Sequence, residues 1–175
     1  LTPLYAANEI LGGDFLSRIN MDLRETKGWS YGTRTMLVRQ KGGVPFIAYA
    51  PVQADKTGPS LLAMLEQMNG FLGDQNVTQA ERDRVVNGAI LELPGSYEAS
   101  SAVMGQMQND AKFGRPFDYA EGTAGRYSAL TKEDLDAALR GVVNPNQLVW
   151  IIVGDAEVIR PQLEGIGMPV EYREA

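Results

Sequence analysis

The chain has 175 residues, 44% of them hydrophobic and 22% charged, a balance that suits one folded domain with a hydrophobic core and argues against disorder. Sixteen Lys plus Arg against 22 Asp plus Glu give a net charge of −6, which disfavours nucleic acid as a partner, and the sequence shows no local basic patch to reverse that. Without Cys or His there is no disulfide, thiolate nucleophile, imidazole base or His- or Cys-based zinc site, and no apolar run approaches the roughly 20 residues of a membrane span.

Leu4, Ala7, Leu11, Phe15, Ile19 and Leu23 recur every three or four positions, the period of one helical face. Gly12-Gly13 interrupts that pattern. Adjacent glycines cost a helix about 1 kcal/mol each relative to Ala, so the segment reads as two successive helices or as one helix with a close backbone contact. Gly28 ends it. Residues 31–40 and 44–51 are rich in Thr, Val, Tyr, Phe and Ile and flank Lys41-Gly42-Gly43, which predicts a β-hairpin. Pro45 and Pro51 cannot donate to a ladder and belong at strand ends or on an edge.

Thr57-Gly58-Pro59 opens an amphipathic helix with Leu61, Leu65, Met68 and Leu72 on one face, ending at Gly73. Thr78 and Glu81 have capping-box spacing, which starts a second helix with Val85, Ala89, Ile90 and Leu93 inward. Pro94-Gly95 stops that helix, and Ser96 is expected to cap a third, with Val103, Met107 and Ala111 on its apolar face, running to Gly114-Arg115-Pro116. A short helix is expected around residues 119–127. Thr131 caps another through Arg140, and Asn144-Pro145 breaks the chain before Leu148-Val149-Trp150-Ile151-Ile152-Val153, a run read as a central, buried strand. The order defines an α+β fold, a mainly antiparallel sheet packed against helices. Three strands make a thin sheet, so an upstream segment is expected to supply more.

The segment from Ile10-Leu11-Gly12-Gly13 through Ser17-Arg18-Ile19 and Leu23-Arg24-Glu25 to Gly28-Trp29-Ser30-Tyr31-Gly32 resembles a signature of the pitrilysin-type (insulinase-like) zinc metallopeptidases, inverzincins of bacterial type included. Asp55-Lys56-Thr57 before a helix and Asn144-Pro145-Asn146 leading to Val153-Gly154-Asp155 agree with it, so the resemblance spans roughly residues 5–155. It implies an α+β half-domain that occurs in pairs, on one chain or on two. One half carries the inverted motif H-x-x-E-H, whose His residues hold zinc and whose Glu activates the bound water. A chain without His is similar to the other, C-terminal half, for which the resemblance points to Arg24 and Tyr31 as substrate-binding residues. They would orient a peptide and stabilise negative charge on the scissile carbonyl oxygen.

On this reading, residues 1–175 are a single C-terminal-type half-domain of a zinc peptidase that lacks its opening strand or strands. The fragment alone is expected to be inactive, to hold no catalytic residue, cofactor or metal of its own, and to self-associate through an uncovered edge. Its partners would be a zinc-bearing half-domain and a peptide substrate. A proteolytically inactive assembly subunit of the same fold, or a peptide-binding module using a strand edge, remains an alternative, and periplasmic and cytoplasmic locations are both open. Gly12-Gly13 lacks the Lys-Ser/Thr of a phosphate-binding loop and sits in a helical pattern, so it reads as packing rather than a nucleotide site.

Overall fold

The computed structural model describes residues 1–173. Helix α1 (Thr2–Asn8) has Pro3 in its first turn, where a missing amide is tolerated, and widens into a π-type turn at Glu9–Gly13. The chain extends at Asp14 (φ −100°, ψ 162°), then forms α2 (Arg18–Asn20), which widens again over Met21–Thr26. Both readings of Gly12-Gly13 hold together: the helix is split, and a β-carbon on Gly12 would lie 2.6 Å from the Thr35 side chain. Phe15 requires a correction. The extended residue before it breaks the helical phase, so Phe15 is half exposed rather than inward. At Gly28 a φ of 65° reverses the chain and returns the Trp29 amide to the Leu23 carbonyl at 2.9 Å.

Strands β1 (Arg34–Leu37) and β2 (Phe46–Tyr49) pair antiparallel, with Thr35 opposite Ala48 and Met36 opposite Ile47. Gln40 and Gly43 bridge across the turn, and Pro45 and Pro51 lie outside β2, where no ladder amide is needed. Thr35, Phe46 and Ala48 face the helices, whereas Met36, Ile47 and Tyr49 are exposed. Two buried amides fasten the hairpin to the helices. Asn8 Nδ2 donates to the Thr35 carbonyl (3.1 Å), and Asn20 accepts from the Thr33 amide (2.9 Å) while donating to the Phe15 carbonyl (2.7 Å).

The remaining helices are α3 (Thr57–Leu72), α4 (Gln79–Glu92), α5 (Ser100–Lys112), α6 (Thr123–Ser128), α7 (Lys132–Arg140) and α8 (Ala156–Leu163). Complete capping boxes start α4 at Thr78 and α7 at Thr131, so two orphan amides are satisfied at each start. Helix α1 packs on α7, and α3 touches α2, α7 and α8. Ile10, Leu11, Ile19, Leu23, Met68, Phe71, Leu135 and Leu139 are fully buried between them.

Three sequence expectations are corrected. Ser96 does not cap α5: its hydroxyl donates to the Glu92 carbonyl at 2.9 Å, a short 3-10 turn covers Gly95–Tyr97, and α5 starts at Ser100. Val103, Met107 and Ala111 are exposed, and the buried residue of α5 is Asp110, held by Gln106 Nε2 at 2.9 and 3.0 Å with Arg115 3.7 Å away. Periodicity identified an apolar stripe but could not say what covers it. Finally, residues 148–153 form no strand among the described residues. Leu148 and Trp150 lean on the core, but Val149, Ile151 and Val153 are 86–92% exposed. β-Propensity favours an extended backbone, whereas a strand also needs a hydrogen-bonded neighbour. The α+β antiparallel class therefore stands with a two-stranded sheet.

Candidate functional site

Tyr31 occupies the middle of a three-residue turn at the base of the hairpin. Ser30 Oγ accepts from the Gly32 amide (3.1 Å) and donates to the Pro51 carbonyl (2.6 Å), while Ser30 and Val52 form a bridge just outside the strands. Tyr31 lies between Ser30 and Gly32 in this turn and is 97% exposed. Arg24 lies in the widened turn that follows α2. Its guanidinium stacks over the Phe15 ring at 4.4 Å and pairs with Glu25 at 3.2 Å. Both candidates are thus accessible, and the described structure gives no hydrogen bond between them.

Phe15 was not singled out as a site residue. It supplies the platform that orients Arg24, and its neighbour Leu16 is equally exposed, so the loop of the glycine pair adds apolar surface beside a planar cation. The signal that could have found it was the break in helical phase at the glycines.

Other parts of the signature hold the fold together. Arg18 makes a two-bond fork to Glu81, Nε to Oε1 at 2.7 Å and Nη2 to Oε2 at 2.8 Å, and donates to the carbonyls of Gln75 (2.8 Å) and Asn76 (3.1 Å). Burial alone would push the Glu81 carboxyl up; the Arg18 fork and the Thr78 amide and hydroxyl outweigh it and hold the group at about 2. Thr57 Oγ1 donates to the Ala54 carbonyl at 3.0 Å, and Gly58 lies against Gln162, whose Oε1 accepts from the Gly58 amide at 3.1 Å. Asn144 Oδ1 accepts from the Asn146 amide, and Asp155 caps α8 through the Glu157 amide, both at 3.0 Å. These residues set backbone direction.

Among the described residues no three His, Cys, Asp or Glu side chains converge to hold a metal ion, and no helix is long and apolar enough to cross a membrane. Carboxylates are the only strong ligands this sequence offers, and they are dispersed, so the residues present do not fit a zinc centre.

A two-stranded antiparallel hairpin held on a helical layer, with an outward Arg and Tyr at its base, defines an α+β domain. Residues 1–89 match the peptidase M16 inactive domain, just over half of the chain, and the chain belongs to that family. A peptidase M16 inactive domain from Pseudomonas fluorescens is similar in structure, with a TM-score of 0.72 and 26% identity over 82% of this chain and 34% of that one. A candidate zinc protease from Bordetella pertussis Tohama I follows at TM-score 0.67 and 17% identity, over 80% of this chain and 76% of that one. A protease from Helicobacter pylori gives TM-score 0.62 and 19% identity, over 79% of this chain and 33% of that one. The chain spans about a third of the length of the Pseudomonas structure. A comparison with curated proteins gives no significant match.

Proposed function

We propose that residues 1–175 act as the non-catalytic half-domain of a two-part zinc endopeptidase, with Arg24 and Tyr31 contacting peptide substrate beside a zinc site carried by another half. The observation that supports it most is the construction around Tyr31: a serine-tied turn spends two hydrogen bonds to hold a large side chain 97% exposed, a display of little use to folding. Family membership and likeness to a candidate zinc protease are consistent with this pairing.

In the assembled enzyme, metal-activated water would come from the partner half, and this chain would position the peptide and meet the charge that develops during attack. The Tyr31 hydroxyl donates one hydrogen bond to a carbonyl oxygen and strengthens it as that oxygen turns negative. Arg24, held flat by Phe15, offers a planar fork to neighbouring peptide carbonyls or to a carboxylate of the substrate. Neither role requires a proton to leave at neutral pH.

The test uses the zinc-bearing half together with this chain. Tyr31→Phe removes one donor and keeps the ring, and Arg24→Lys keeps charge and loses the fork. One or both should lower kcat by about 100-fold, on the scale of losing one oxyanion donor, with melting temperature unchanged. Parent rates in both variants would refute the assignment and leave only the family relationship. A peptide-binding role is favoured by one feature, the unpaired, exposed apolar residues of the segment 148–153, which form no strand by themselves. Peptide binding by this chain in the absence of any other half would support it.

A further inference from the structure

The turn of the hairpin and the end of α5 enclose an open groove of about 520 Å³, lined by Leu1, Arg39, Lys41, Val44, Lys112 and Phe113 among others. Three cations meet there in a chain whose net charge is −6, and among the described residues no acidic side chain lines the groove. None of the three has a carboxylate within 4.0 Å among the described residues, whereas Arg18, Lys27, Arg82 and Arg84 each do. The Arg39 guanidinium lies on the Phe113 ring at 3.8 Å, with Lys112 Nζ 5.1 Å from the same ring.

That stacking immobilises the guanidinium but gives it no oxygen acceptor. Arg39 Nη1 is buried from solvent and has no hydrogen-bond partner among the described residues. A desolvated cationic donor is destabilising until an acceptor reaches it, and neighbouring like charges add to the cost. An oxyanion on the open side of the cluster would relieve the second of these. Lys112, in the last turn of α5, is also placed to offset the partial negative charge of that helix end, so part of its charge serves the helix itself. Arg39 and Lys41, on the hairpin, have no such helix to serve.

We infer that this groove is a binding site for a compact, multiply charged oxyanion, a polycarboxylate or a phosphate, gripped by the Arg39 fork with Lys41 and Lys112 as point charges. The planar guanidinium fits the paired oxygens of either group, and the phenyl ring and Val44 give the open groove an apolar floor. The site is independent of the proposed peptide contacts at Arg24 and Tyr31, and its test involves neither proteolysis nor a partner half.

Calorimetric titration of the chain with citrate and with inorganic pyrophosphate, at low ionic strength, reads the site directly. One-site, saturable binding below about 10 mM is expected for at least one probe, weakening as salt is added. Tighter citrate binding would assign the site to carboxylates, and tighter pyrophosphate binding to phosphates. Arg39→Gln should weaken binding about tenfold or more, as expected for loss of a bidentate charged contact. If Arg39→Gln fails to fold, Lys41→Gln combined with Lys112→Gln, both exposed positions, should weaken it at least about fivefold. Absence of saturable binding of either probe, or unchanged affinity in the variants, overturns the inference.

Discussion

Replacing Arg18 by Ala removes the four hydrogen bonds that join α2 to the start of α4 and exposes the Phe71 ring on which the guanidinium rests at 5.1 Å. The side chains of Arg18 and Glu81 are 15% and 21% exposed, so the pair is mostly but not wholly desolvated. Breaking a fully buried pair costs about 3–5 kcal/mol; residual water access and rehydration of the exposed Gln75 and Asn76 carbonyls should reduce this to about 2–3 kcal/mol. With a urea slope of about 1–3 kcal/mol per molar, the unfolding midpoint, followed by Trp fluorescence, should fall by roughly 1 M. The same pair gives a pH signature. Glu81 is depressed from 4.5 to about 2 in the folded chain, so its contribution is present above pH 4.5 and is lost as pH falls through about 2. After discounting for solvent access, about 1–2 kcal/mol of acid-sensitive stability should vanish over that window in the parent, and a smaller part of it in Arg18→Ala, where the Thr78 amide and hydroxyl still hold the carboxylate. A destabilisation below about 0.5 kcal/mol, with an unchanged acid profile, would refute the reasoning.

Gly12→Ala places a β-carbon 2.6 Å from the buried Thr35 side chain and should destabilise by about 1–3 kcal/mol in chemical denaturation, whereas Gly42→Ala, with open space around it, should cost under about 0.5 kcal/mol. Ile151→Lys should leave the melting temperature nearly unchanged, because the side chain is 86% exposed. It should also reduce self-association measured by sedimentation, since it puts a charge on an uncovered apolar edge. Unchanged association would locate the contact elsewhere.

The elements that were legible in the sequence are those written locally. Thr78 with Glu81 and Thr131 with Asp134 each complete a cap within four residues, and Lys41-Gly42-Gly43 turns a hairpin whose strands are neighbours in the chain. Residues 148–153 failed because pairing is a property of two segments, and their composition speaks for only one. The basic groove was invisible for the same reason: Arg39 and Lys112 are 73 positions apart, and composition alone gave an acidic chain without a patch. At the candidate site, a helix-terminal Arg and a strand-opening Tyr are commonplace by themselves, and it was resemblance that selected Arg24 and Tyr31. Their exposure and the Phe15 platform became apparent only in three dimensions.

The widened turn over Met21–Thr26 makes residue count itself a determinant of the surface. A π-type turn holds about one residue more than an α-type turn, so it rotates everything around it by about 100° relative to an uninterrupted helix. The Lys27 amide reaches back five residues to the Asp22 carbonyl at 2.9 Å, and within that turn Leu23 is fully buried while Arg24 leans on Phe15. Deleting one residue there would tighten the turn while preserving nearly every side chain. It would nonetheless exchange which neighbour faces the core and which faces outward, so that an arginine could remain in the sequence and yet vanish from its place over the ring.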